Sequence, residues 1–249
     1  DDDAGSPVGW IGWGGGIGMG KTPDAFRICR FVIANSTSKM PQTTSLVQPL
    51  DGLGDTKAAG TPVADSATDY SNKQGANNWF YGFYAGDGAG QGDGDQPLGP
   101  YTDDDFGPMT HVQTVWGYNW AGPAKYLSLK PEGGHPEVIQ GRPAWAVRRW
   151  KSTVSGPVRL VGFFRRTDEQ GDGTGGRILI DGVQVYETTV GGESHPGEVS
   201  FDVVVPVHEG SLIDFAITPG PTVDTQYDAT QSRATIYKLQ STEGNLRTP

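Results

Sequence analysis

Gly176-Arg-Ile-Leu-Ile-Asp-Gly-Val-Gln-Val-Tyr-Glu-Thr-Thr189, followed by Glu198-Val-Ser-Phe-Asp-Val-Val-Val-Pro206 and Ser211-Leu-Ile-Asp-Phe-Ala-Ile-Thr218, is the stretch that decides the fold. Asp181-Gly182 stands between two runs rich in β-branched residues, and Asp-Gly readily adopts the two positive φ angles that a tight hairpin turn demands. Val199, Phe201, Val203 and Val205 then alternate with Ser200, Asp202 and Val204, which is the period-2 pattern of a strand with one apolar face. Leu212 to Ile217 repeats the pattern after a turn at His208-Glu209-Gly210. Read alone, the stretch predicts consecutive antiparallel strands in one sheet, with one face buried and the other wet.

Working outward, further strands are expected at Asn77–Tyr84, His111–Trp120, Pro143–Trp150, Val158–Arg165 and Arg233–Leu239. The 38 Gly and 18 Pro are spread through 249 residues, and no dozen residues free of both carry convincing helical periodicity. The expected fold class is therefore all-β, an antiparallel jelly-roll β-sandwich with an extended Gly/Trp-rich N-terminal arm. Eight of the first twenty residues are Gly, accompanied by Trp10 and Trp13. Glycine loses much backbone entropy on ordering, so such a segment is expected to dock its indoles on something else. With the strand-like run containing Phe26, Ile28 and Phe31, it reads as an assembly arm able to add a strand to an exposed sheet edge. The Ser/Thr/Ala/Gly/Pro-rich residues 35–73 read as linker, which places residues 1–73 in an attachment region and 74–249 in the sandwich.

A formal net charge of −10 argues against nonspecific nucleic-acid binding, which needs a basic footprint. No apolar run reaches transmembrane length, so no membrane insertion is expected, and no signal peptide is visible. The chain opens Asp-Asp-Asp without Met, as a processed or trimmed product would. Cys29 has no intrachain partner, and Asn35-Ser-Thr37 matches a glycosylation sequon. Residues 74–124 hold no Lys or Arg, while 125–166 hold nine bases against Glu132 and Glu137. Either the two segments neutralise each other across strands or one lines a groove for an anionic ligand.

Asn77-Asn-Trp-x-Tyr-Gly-x-Tyr84, Gly134-His135-Pro136, Trp145-Ala-Val-Arg-Arg-Trp150, Gly171-Asp-Gly173, Ile180-Asp-Gly-Val-x-Val185 and Asp214-Phe-Ala-Ile-x-Pro-Gly220 follow one another in this order. Together, over about residues 74–239, they resemble the non-catalytic, carbohydrate-binding type of β-sandwich module found in large secreted bacterial proteins. The resemblance implies a jelly roll displayed outside the cell; it assigns neither a ligand nor a catalytic residue.

Trp116, Tyr118 and Trp120 share one strand parity and form a candidate platform on which pyranose rings would stack; the competing reading places them in the core. Trp79, Tyr81 and Phe83 read as core. Trp145 and Trp150 differ in parity, so at most one fits the core, and Trp150 with Arg148 on its face is a candidate ligand contact. Asp168 and Asp172 lie on a Gly-containing loop of the kind that supplies oxygen ligands to a structural Ca2+, although ordinary turn acids look the same in sequence. The four histidines have no zinc spacing. Gly15-x4-Gly20-Lys21-Thr22 meets a phosphate-loop spacing, but Pro23 stands where the helix would begin, so it reads as coincidence.

Two functions follow. The first is a non-catalytic extracellular module binding polysaccharide or cell-surface glycan. The alternative is a structural subunit of an extracellular assembly, such as a phage particle, filament or surface layer, held together by its arm as a homo-oligomer. No catalytic constellation is legible, so no enzyme is expected.

Overall fold

A computed structural model describes residues 60–85, 101–114, 116–193, 195–220, 222 and 224–240. All lie in the unit Ser45–Pro249. The Asp181-Gly182 turn forms as its residues dictate, with φ of 49° and 78°, and joins β11 (Thr174–Ile180) to β12 (Val183–Val190). The next two strands do not extend that hairpin in sequence order. β13 (Glu198–Val207) crosses to the opposite sheet, and β14 (Leu212–Pro219) returns to pair with β11 on its other edge. This corrects the expectation of a single consecutive sheet. Alternation decides which face of a strand is buried, but a one-faced strand fits either layer of a sandwich.

The result is a two-sheet antiparallel β-sandwich of the jelly-roll kind. Its remaining strands are β1 (Thr61–Asp65), β2 (Trp79–Ala85), β3 (Gly107–Pro108), β4 (Thr110–Thr114), β5 (Gly117–Ala121), β6 (Ser128–Lys130), β7 (Gly133–His135), β8 (Glu137–Ile139), β9 (Arg142–Lys151), β10 (Gly156–Arg166) and β15 (Thr230–Lys238). One sheet runs β13-β10-β15-β7-β6-β5-β4, with β1 beside the C-terminal half of β15; the other runs β12-β11-β14-β9-β2-β3, with β8 beside β9. Between them pack Trp79, Tyr81, Trp150, Leu160, Phe164, Ile178, Ile213 and Ile236, each 1% exposed or less.

Two features depart from the sequence expectations. The sandwich starts by Thr61 and not near residue 74, because β1 pairs with β15 from Thr61↔Lys238 to Asp65↔Thr235. The outer face of the second sheet also carries a small core of its own. Tyr84, Trp145, Val147, Leu179 and Ala216 are covered there by Tyr101 and Phe106, with Tyr101 stacked on Tyr84 at 4.3 Å. Trp145 and Trp150 do face opposite sides, yet both are buried, because segment 101–106 lies over the outer face.

Asp65 ties β1 down. Its Oδ1 accepts from the Ala67 and Thr68 amides, while its Oδ2 accepts from Arg233 Nε and Nη2 and from Thr235 Oγ1 at 2.7 Å. Burial alone would raise the carboxyl, but these bonds outweigh it and hold Asp65 down at about 2. A folded-state value below the unfolded one stabilises the fold above about pH 4, and that stability is lost as pH falls through 2. After solvent screening the contribution is about 1–2 kcal/mol. Urea unfolding of the wild type and Asp65→Asn between pH 5 and pH 2 should show the gap between them closing by about that amount, and a constant gap would refute the assignment.

Candidate functional site

The β4–β5 hairpin carries two exposed aromatic residues, Trp116 and Tyr118. At its base Trp120 is only 3% exposed, stacks on Tyr81 at 4.9 Å and 11°, and donates its indole N–H to the Ser71 carbonyl at 2.9 Å. Trp120 is thus core, which removes it from the candidate platform. Two residues toward the tip, Tyr118 has the same parity but is 69% exposed, because only the base of the hairpin is covered. His111, opposite Trp120 in the ladder, meets that indole edge-on at 5.2 Å and lies parallel to the Tyr118 ring at 6.1 Å.

A second row begins at the tip. Trp116, 51% exposed, lies 5.3 Å from Tyr126, and Tyr126 lies 5.9 Å from His135. Lys125 Nζ stands 4.8 Å from the centre of the Tyr126 ring. The turn that presents Trp116 is held by one side chain. Thr114 Oγ1 accepts from the Trp116 amide and from Asn119 Nδ2 and donates to the Gly117 carbonyl, while Gly117 takes φ 101°. At the other end of the row, burial pushes the His135 imidazole below its ordinary value, so the ring is neutral at pH 7. Its Nδ1 faces the Pro136 carbonyl, which makes that nitrogen the protonated one. The row combines flat rings with few fixed hydrogen-bonding groups; Lys125 stands at Tyr126, and the charges of Glu137 and Lys130 lie near the His135 end.

Sequence reading selected Trp116 and Tyr118 of this surface and missed Tyr126. Tyr126 sits in a Pro- and Lys-containing connection without strand alternation, and it joins Trp116 only because β6 pairs with β5. Arg148 and Trp150 leave the candidate list, being 2% and 1% exposed. Arg148 points into the sandwich, where it donates to the main-chain carbonyls of Ser66 (3.2 Å), Lys130, Pro131 (3.2 Å) and Gly133 (3.0 Å). Carbonyls rather than a carboxylate thus satisfy its charge, and no groove for an anion forms around it.

The basic segment also pairs mostly elsewhere than expected. Arg159 meets Asp202 and Arg165 meets Glu198 across β10 and β13, while Arg149 reaches the acidic segment at Asp103. Asp168 and Asp172 turn to different partners. Asp168 Oδ1 accepts from the Gln170 amide, and Asp172 Oδ2 accepts from the Thr222 amide and hydroxyl. Among the described residues no three His, Cys, Asp or Glu side chains are grouped to hold a metal. Trp10, Trp13, Phe26, Ile28 and Phe31 of the expected arm lie outside the described residues.

No protein-family model matches the chain, and no curated protein matches its sequence. Among solved structures it is similar to a family 35 carbohydrate binding module from Clostridium thermocellum, at 10% identity and a TM-score of 0.29, over 56% of this chain and 97% of the module. It is also similar to the CBM51 of Clostridium perfringens solved with methyl-galactose, at 12% identity and a TM-score of 0.30, over 62% of this chain and 92% of that one. A third is the exo-beta-1,3-galactanase of Phanerochaete chrysosporium, at 10% identity and a TM-score of 0.30, over 72% of this chain. The match spans only 29% of the galactanase. Among the described residues no helix is long and apolar enough to cross a membrane.

Proposed function

We propose that this domain is a non-catalytic glycan-binding module, displayed outside the cell, whose contact surface is the row Trp116–Tyr126–His135 with Tyr118 beside it. The observation that supports this reading is the exposure of large aromatic rings on a hairpin whose base is locked into the core. Trp116 and Tyr118 are 51% and 69% exposed, while Trp120, in the same strand register as Tyr118, is buried. Exposed apolar area of this kind gains by covering the C–H face of a sugar ring, and a Trp or Tyr loses little rotamer freedom on contact. Arg148, Trp150 and Trp120 have structural parts in it, as brace and core.

The test is binding of the full chain to a panel of neutral and acidic polysaccharides, followed by calorimetry on a bound one. Trp116→Ala and Tyr126→Ala should each weaken binding about tenfold or more while leaving the melting temperature nearly unchanged. Unchanged affinity in both variants would remove this surface from the function, and a panel with no binding would remove the function itself. A complex of several copies in solution, without glycan affinity, would favour the structural-subunit reading.

A further inference from the structure

A strand edge that faces solvent is normally protected, because its open row of N–H and C=O groups is a template for another strand. The edges of this sandwich carry such protection, with one exception among the described residues. β13 has Glu198, Asp202 and Pro206, and β12 has Glu187 and an irregular register with β11 between Ile178 and Leu179. β3 is two residues long and ends in Pro108, β1 contains Pro62 and Asp65, and β8 is three residues long and begins at Glu137. β4, Thr110-His-Val-Gln-Thr114, lies at the opposite edge of its sheet from β13. It has no Lys, Arg, Asp, Glu or Pro, and its register with β5 is regular.

The open side of β4 can be assigned residue by residue. Thr114 faces Gly117 across the hairpin tip, so Thr110, Val112 and Thr114 direct their main-chain groups at β5. His111 and Gln113 direct theirs outward, where no described strand meets them. Between them the Val112 side chain is 38% exposed. A two-fold axis through Val112 makes this edge complementary to itself. It sets His111 of one copy opposite Gln113 of the other, Thr110 opposite Thr114, and Val112 opposite Val112, with no like charges facing. Charge selects the same edge. Two chains of net charge −10 repel, and the least costly joint between them is one without acids. The Asp103–Asp105 turn precedes β4 in the chain, at the base of the hairpin. Antiparallel pairing puts the base of one hairpin beside the tip of the other, which keeps the two acidic turns apart.

We infer that β4 is a docking edge for a second copy of this chain: two copies pair antiparallel along Thr110–Thr114 and join their sheets into one. Such a two-fold leaves the aromatic rows of both copies on the same face of the joined sheet. The dimer then offers two rows to one polysaccharide and gains avidity. That last consequence rests on the glycan-binding reading; the pairing itself does not, and it is tested without glycan.

The experiment is sedimentation of the full chain over a dilution series from ~1 mM to ~1 µM. The wild type should pass from two chains to one on dilution, and amide exchange at His111 and Gln113 should slow as the pair forms. Val112→Lys sets two ammonium groups opposite each other and should weaken the pairing at least about tenfold. Its monomer should melt as the wild-type monomer does, because Val112 is outside the core. The register has its own readout. Partners of the non-hydrogen-bonded kind, as Val112 and its copy would be, have Cα atoms about 4.5 Å apart, within disulfide reach. Cys29→Ser, Val112→Cys should therefore give a covalent dimer on oxidation. Cys29→Ser, Val183→Cys, exposed beside the β11–β12 turn, should give far less. A monomer at every concentration, a dimer unaffected by Val112→Lys, or equal cross-linking of the two cysteine variants would each overturn the edge. Protection of the His111 and Gln113 amides that does not change with dilution would also overturn it, since residues 1–59 of the same chain would then cover β4.

Discussion

Arg149→Met is expected to cost about 3–5 kcal/mol, the loss typical of a buried ion pair stripped of one partner. Asp214 is fully buried, and Arg149 donates Nε to its Oδ1 at 2.8 Å and Nη2 to its Oδ2 at 3.0 Å. Tyr84 donates its hydroxyl to Asp214 Oδ2 at 2.5 Å and accepts from Arg149 Nη2 at 2.6 Å. The fourth member, Asp103, is exposed and contributes little, so its loss should be mild. Burial works against the guanidinium charge, but the Asp214 carboxylate beside it holds the Arg149 proton more firmly than usual. In the variant Asp214 keeps only the Tyr84 hydroxyl, and burial then favours its protonated form. A carboxyl raised above its unfolded value loses stability as pH rises, so the deficit of Arg149→Met should grow from pH 4 to pH 7. Chemical denaturation at the two pH values measures it, and an equal deficit at both would contradict the assignment. The triple variant Arg149→Met, Asp214→Leu, Tyr84→Phe should recover most of the loss, since an apolar replacement leaves no stranded charge.

Gly182→Ala should be the most damaging single-methyl change in the fold, at about 2–4 kcal/mol. Gly182 takes φ 78°, where an L side chain is strained, and its added Cβ would lie 2.7 Å from the Tyr101 carbonyl carbon, 2.8 Å from its nitrogen and closer still to its oxygen. The Tyr101 amide donates to the Gly182 carbonyl at 3.0 Å, so the hairpin tip is the surface on which segment 101–106 rests. The methyl group must lift that segment, and Tyr101 and Phe106 leave the outer-face cluster with it. Hydrogen exchange should therefore quicken at residues 101–106 before it quickens in β10 or β15. Uniform loss of protection across both sheets would mean that the damage is not local.

How far the fold was legible depends on how local each signal is. The Asp181-Gly182 turn and the Val199–Val205 face are set by neighbours in the chain, and both form as read. The assignment of β13 and β14 to different sheets depends on which edges are already occupied, and no local pattern carries that. Only one of Trp145 and Trp150 was expected in the core, because the cover over Trp145, segment 101–106, is irregular and about forty residues distant in the chain. The same limit applies to the candidate sites. Trp116 and Tyr118 announce themselves by alternation, whereas Tyr126 lies in a connection and meets Trp116 only through the pairing of β6 with β5. Trp120 shows the reverse error, since parity states which residues share a face and not how far along the strand that face is covered.

The attachment of the β4–β7 extension has a mechanical consequence. It joins β15 through the two register pairs Thr230↔Gly134 and Gln231↔Gly133 and through the Ser232 amide, which donates to the Glu132 carbonyl at 2.8 Å, so a load applied at Trp116 would open that short seam bond by bond rather than shear it as a whole. Arg148 lies across the same place, rooted in β9 of the opposite sheet and bonded to the carbonyls of Lys130, Pro131 and Gly133 on both sides of the β6–β7 turn. Those bonds pull in a different direction from the ladder, and a tug on the aromatic tip must break both sets before the hairpin peels away. Because the guanidinium grips main-chain atoms, the rivet tolerates any side chain at Lys130 and depends on none at Gly133.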